Sequence, residues 1–150
     1  MKPLLYLCGP IRGLSFEEAK GWRRQLGERL RDYYTILDPL RDVFSFVAGS
    51  ELARDIHDRL VDTTNVFRRD LYDVHRCDVL LCNLEGAKRV SIFSVMELGW
   101  AFQAGKFTIT VLPDDNCHEH FCVRQASSLV VPCLSRAESY LSSQLGASHG

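Results

Sequence analysis

Runs of apolar residues along the chain are short and separated by glycine, proline and aspartate. Leu4-Leu5-Tyr6-Leu7-Cys8 is continuous and stops at Gly9-Pro10, as expected of a buried strand entering a tight loop. Ser15, with Glu18 three residues later, predicts a capping box at a helix start. Ala19, Trp22, Leu26, Leu30 and Tyr33 then recur at helical spacing, which turns Arg23, Arg24, Glu28 and Arg31 toward water. Residues 34–37 predict a second strand, stopped by Asp38-Pro39. A helical pattern resumes from Thr63 through Val66, Phe67, Leu71, Val74 and His75.

Residues 78–84 are apolar on both sides, as a central parallel strand should be. A helix over 91–104 closes at Gly105, and residues 107–112 form a fourth strand before Pro113. Leu129-Val130-Val131 is a candidate fifth strand, and residues 136–145 a last helix. Residues 40–60 show no clear period and read as an irregular excursion with room for one short helix. The tail from Gly146 reads as frayed.

Strands alternating with helices predict a single α/β domain over residues 1–145. Its core is a doubly wound, flavodoxin- or Rossmann-like sheet of about five mainly parallel strands flanked by helices. In such sheets the ligand sits beyond the carboxyl ends of the strands, where loops 9–14, 38–42 and 85–91 meet.

Composition narrows this little. With 150 residues, 46% hydrophobic and 25% charged, the chain is an ordinary soluble domain. A net charge of −1 gives no overall attraction to a nucleic-acid polymer or an anionic membrane, although a local cluster can hold a phosphate. The N-terminal apolar run is too short for a signal peptide or a spanning helix. The six cysteines lack the spacing of a disulfide scaffold and read as reduced, in a cytoplasmic protein.

Four constellations carry candidate chemistry. Gly9-Pro10-Ile11-Arg12-Gly13 combines glycines that allow close backbone approach with a planar cation suited to phosphate. It matches neither a Walker loop nor G-x-G-x-x-G, and it is equally compatible with a plain strand-to-helix turn. Asp70, one turn before its helix ends, can point toward the crevice, whereas Asp78 reads as a surface carboxylate. Ser91 and Ser94 lie at a helix start, where free N–H groups favour an anion. Glu97 follows among Val95, Met96, Leu98 and Trp100, and Gly99 and Ala101 are small enough for close helix–sheet packing. The residues alone leave Glu97 open between a solvated glutamate and a costly, purposeful buried one. Cys117-His118-Glu119-His120-x-Cys122 crowds metal-ligand types but fits no zinc spacing, so a histidine-rich surface loop is the better reading and no metal site is expected.

Together these motifs resemble the nucleoside 2-deoxyribosyltransferase family and its nucleoside 5′-monophosphate N-glycosidase relatives. The resemblance runs in order through Tyr6-x-Cys8-Gly9-Pro10-Ile11-Arg12-Gly13, Asp70-Leu71 with Asp78, Met96-Glu97-Leu98-Gly99-x-Ala101 and Gly105-Lys106. It implies that Glu97 is the nucleophile forming a glycosyl-enzyme intermediate, that Tyr6 positions it, and that Asp70 contacts the base and helps protonate the leaving nitrogen. It implies no metal or organic cofactor.

Family transferases acting on free nucleosides often carry aspartate six residues before the nucleophile, where this chain has Ser91. In the nucleotide-hydrolysing relatives a serine there contacts phosphate, and their first loop is similar to Gly9-x-Ile11-Arg12-Gly13. A hydroxyl at a helix start beside Arg12 suits a dianion that aspartate would repel, which favours a nucleotide substrate. Base exchange between free nucleosides and a non-catalytic nucleotide-binding module are the alternatives. The chain departs from the family at Phe93 and Ser94, usually glycine and threonine, and at Gly13-Leu14-Ser15. The family completes its site from a neighbouring subunit; Ser127 or Ser128 stands near that point, implying at least a homodimer.

Overall fold

Five short strands lie side by side in one parallel sheet: β1 (Leu4–Cys8), β2 (Thr35–Leu37), β3 (Val79–Asn83), β4 (Phe107–Val111) and β5 (Leu129–Val131). The computed structural model describes residues 1–41 and 63–146, so the expected excursion at 40–60 and the tail beyond Gly146 fall almost wholly outside the described residues. The spatial order β2-β1-β3-β4-β5 is the flavodoxin-type arrangement, with a topological switch point between β1 and β3. The expected doubly wound sheet is therefore the observed one.

The helices are α1 (Trp22–Leu30), α2 (Thr63–Arg76), α3 (Ile92–Gln103), α4 (Phe121–Gln125) and α5 (Leu134–Gly146). Side-chain alternation along β1 assigns them to layers. Leu5 and Leu7 face Leu26 and Leu30 of α1 and Ala137 and Leu141 of α5. Tyr6 and Cys8 face Val74 of α2 and Cys77 just after it, Leu98 and Ala101 of α3, and Val123 of α4. A strand covered on both faces must be apolar throughout, which is why β1 and β3 read as unbroken runs.

The capping box forms as expected: the Ser15 N–H donates to Glu18 Oε2 at 2.8 Å, and the Glu18 N–H donates to Ser15 Oγ at 3.2 Å. A π-helical turn at Glu17–Gly21 then leads into α1. Three expectations are corrected. Tyr33 is exposed, because α1 has already ended at Leu30. Gly99 points to open space rather than to the sheet, and Ala101 alone makes the close contact. Arg23, expected in water, is buried.

The reason for that burial lies at the end of β1. The strand leaves the Leu7 and Gly9 carbonyls near α1 with no neighbouring strand to serve them. Arg23 Nε donates to Leu7 O at 3.2 Å and a terminal nitrogen to Gly9 O at 2.9 Å; a second terminal nitrogen donates to Ala19 O. The guanidinium stacks over Trp22 and lies 3.8 Å from Asp38. Arginine's rigid fork of donors lets one side chain satisfy all three carbonyls. Among the described residues, no helix is long and apolar enough to cross a membrane.

Candidate active site

The carboxyl ends of β1 and β3 open onto a cleft of about 430 Å³. Its lining includes Gly9, Ile11 and Arg12 from the loop after β1, Asp70 from α2, and Ser91 and Ser94 at the start of α3. Gly9 is required there: a Cβ would come within 2.8 Å of the Asn83 carbonyl. Gly13 holds a φ of 81°, and a Cβ on it would press on the Arg89 guanidinium at 2.8 Å. Pro39 and Leu40 supply apolar wall from the loop after β2, and Phe93 and Met96 from α3.

Glu97 lies one turn along α3 from Phe93 and Ser94, on the helix face directed at the sheet, and is only 3% exposed. The solvated reading of Glu97 is thereby excluded. The Tyr6 hydroxyl donates to Glu97 Oε2, and the Cys8 thiol lies 3.6 Å from Oε1. Tyr6 and Cys8 are alternate residues of β1 and so project from the same face of the sheet. A strand period of two thus delivers two donors to one carboxyl group.

Burial pushes the Glu97 carboxyl up to about 8; the Tyr6 hydrogen bond pulls it down and the nearby Asp70 pushes it up. Burial likewise raises Asp70 to about 6, opposed by Arg69, whose guanidinium donates to Asp70 Oδ1 at 3.2 Å. Burial first, then the Glu97 charge, holds the Tyr6 hydroxyl well above its ordinary value, so it remains a donor. Two buried carboxyls thus retain a proton far more readily than carboxyls in water; Asp70 lines the cleft, whereas Glu97 and Tyr6 are not among its lining residues.

At the other end, Ser91 is the N-cap of α3, its Oγ accepting from the Ser94 N–H at 3.3 Å and lying 2.8 Å from Ser94 Oγ. Arg89 joins Arg12 on the lining, a second cation that no spacing argument picked out. Asp78 stays on the surface, accepting the Leu4 N–H at 2.7 Å. Ser128 does not line this cleft; its Oγ accepts the Thr108 N–H at 3.0 Å where β4 meets β5.

The cysteine–histidine stretch lies at the surface as expected, with Cys117, Glu119, His120 and Cys122 exposed, except at His118. His118 is 2% exposed, whereas His120 is exposed and caps α4 by accepting the Cys122 N–H. Glu119 pairs with Arg124 through two hydrogen bonds. Among the described residues, no group of three or more His, Cys, Asp or Glu is arranged to hold a metal ion.

Solved structures with this architecture include a conserved protein from Enterococcus faecalis V583, at 14% identity and TM-score 0.68, covering 96% of this chain and 99% of that one. A 2-deoxyribosyltransferase from Bacillus psychrosaccharolyticus matches at 19% identity and TM-score 0.62, over 90% of each chain. The Clostridium botulinum CMP N-glycosidase BcmB matches at 15% identity and TM-score 0.55, over 93% of this chain and 97% of its own. At these identities the likeness is one of fold. No curated protein matches the sequence. The sequence profile described as Nucleoside 2-deoxyribosyltransferase matches residues 5–132, a span that holds Tyr6, Asp70 and Glu97 and every lining residue of the cleft. The chain belongs to the nucleoside 2-deoxyribosyltransferase family.

Proposed function

We propose that this protein cleaves the N-glycosidic bond of a (2′-deoxy)nucleoside 5′-monophosphate, with Glu97 as nucleophile. The observation that carries the proposal is the buried Glu97 carboxyl held by the Tyr6 hydroxyl beneath a cleft lined by Asp70. A carboxyl in that setting costs stability, and a merely structural role is better served by an apolar residue.

In the reaction, an ionised Glu97 oxygen attacks the anomeric carbon as the bond to the base nitrogen breaks. The bonding pair leaves with the base, and the Asp70 proton is transferred to it. The resulting glycosyl ester is opened by water, whose proton returns to Asp70, restoring Glu97. With Glu97 near 8 and Asp70 near 6, the pair holds one proton between those values. The reactive form is the one with that proton on Asp70.

The 5′-phosphate is supported by the mouth of the cleft, where Arg12, Arg89, Ser91 and Ser94 adjoin the start of α3. A doubly charged phosphate suits neutral hydroxyls, two guanidinium groups and a helix N-terminus. The reading includes at least a homodimer, in which Ser128 would serve the cleft of the other copy.

The test is a mass-spectrometric assay of base release from 2′-deoxynucleosides and their 5′-monophosphates, with and without a second free base. The expected products are free base and sugar 5-phosphate, with none from Glu97→Gln. Exchange of bases without net sugar release assigns transfer in place of hydrolysis. Nucleotide binding with no release by the wild type makes the protein a binding module instead.

A further inference from the structure

The β3–α3 loop runs from Leu84 to Ser91, and its residues Arg89, Val90 and Ser91 line the cleft. Both of its ends are held from outside by the segment that follows β4. Asn116 Nδ2 donates to the Leu84 carbonyl at 2.8 Å, at the start of the loop. The Ser91 N–H, at its end, donates to His118 Nε2 at 2.8 Å. Asn116 and His118 are themselves joined: Nδ1 of the imidazole lies 3.0 Å from Asn116 Oδ1, which also accepts the His118 backbone N–H at 2.9 Å.

These contacts fix the tautomer. Nε2 accepts, so the neutral ring carries its proton on Nδ1 and donates it to Asn116. The Asn116 orientation follows, with the amide nitrogen toward Leu84. Cys117 adds weaker sulfur contacts, 3.4 Å to His118 Nδ1 and 3.9 Å to the Ala87 carbonyl within the loop. The Leu84 carbonyl also accepts the Ala87 N–H at 3.2 Å, so Asn116 adds a second bond there, whereas the Ser91 N–H lies before the first turn of α3 and takes His118 as its acceptor.

We infer that Asn116 and His118 are positioning residues: a polar clip that closes the base of the 84–91 loop and sets where Ser91 meets the substrate. This rests on the proposed function for what the cleft holds, although the clip itself is readable without turnover. It gives a role to His118, the buried residue of the cysteine–histidine stretch.

The experiment measures Ser91 amide hydrogen exchange by NMR, with β1 and β3 amides as internal reference, together with steady-state kinetics on deoxynucleoside 5′-monophosphates. His118→Leu is expected to remove Ser91 protection by at least roughly tenfold while the strand amides stay protected. KM is expected to rise about tenfold with kcat changed less than about threefold. His118→Gln, whose amide oxygen can occupy the Nε2 position, restores both. Where His118→Leu does not fold, Asn116→Ser, at a half-buried position, gives the same two readouts. Unchanged Ser91 protection in the folded variant overturns the clip. Lost protection with unchanged KM overturns its role in substrate placement. A wild type that releases no base from any nucleotide sinks the proposed function, and the exchange measurement still decides the clip.

Discussion

The Tyr6 hydroxyl and Glu97 Oε2 share a hydrogen bond across the β1–α3 interface, with both side chains almost wholly out of water. The phenol is the principal group drawing the Glu97 carboxyl back toward its charged form against the effect of burial. Tyr6→Phe removes that donor. Glu97 then titrates at higher pH, the rate optimum moves toward alkali, and kcat/KM at neutral pH falls by roughly tenfold for each unit of displacement. A pH–rate profile of both proteins checks this; an unmoved optimum would assign Tyr6 a packing role only.

Asp70 and Glu97 together predict a bell-shaped pH profile with limbs near 6 and 8. Below the lower limb both carboxyls are protonated and no nucleophile is available; above the upper limb neither has a proton to give. Asp70→Asn eliminates the alkaline limb. The remaining acid limb then reports the ionisation of Glu97 alone, below 8 because the Asp70 charge that raises it is gone. The maximal rate falls by about 100-fold for loss of the acid.

Glu97→Gln abolishes base release and stabilises the fold at alkaline pH. The folded-state value near 8 lies above the ordinary 4.5, so the proton-bound stability is complete below 4.5. It is lost as pH rises through 8, and glutamine does not titrate. In urea unfolding the variant should gain on the order of a few kcal/mol over wild type at pH 8, and almost nothing at pH 4.5. An advantage independent of pH would show that Glu97 is not a strained carboxyl.

Arg23→Met leaves the Leu7, Gly9 and Ala19 carbonyls without their donor and Asp38 with Lys20 as its remaining cation, 3.2 Å away. Breaking a buried charged network of this kind costs about 3–5 kcal/mol. Arg23→Lys keeps the charge but loses the fork, and should fall between the two. Chemical denaturation measures both.

Ser91→Asp puts a negative charge at the mouth of the cleft, beside the start of α3. For a 5′-monophosphate, kcat/KM should fall by 100-fold or so, while a free nucleoside is affected far less. Equal losses on both substrates would remove the phosphate from that end of the cleft.

Apolar patterning alone made most of the fold legible. Unbroken runs at 4–8 and 79–83 can only be covered on both faces, and their alternation with helical periods leaves a parallel sheet as the economical solution. The site was legible only in part: strand order places a crevice beyond the carboxyl ends of β1 and β3, whereas the grouping of Tyr6, Asp70 and Glu97 was implied by the family resemblance and not by their spacing. The short helix Phe121–Gln125 was not, since five residues are too few to display a period.

Burial of polar groups was the part that only tertiary structure decided. Periodicity gave Arg23 a solvent address, His118 read as one more residue of a surface loop, and Glu97 stood open between solvent and core. Arg23 is buried because the Leu7 and Gly9 carbonyls at the end of β1 and the Ala19 carbonyl before α1 converge on it, and His118 because the Ser91 N–H at the start of α3 needs an acceptor. Glu97 is held by donors from a strand 90 residues away in the chain, the Tyr6 hydroxyl foremost. A polar side chain enters a core only where partners await it, and those partners come from segments that sequence order keeps apart.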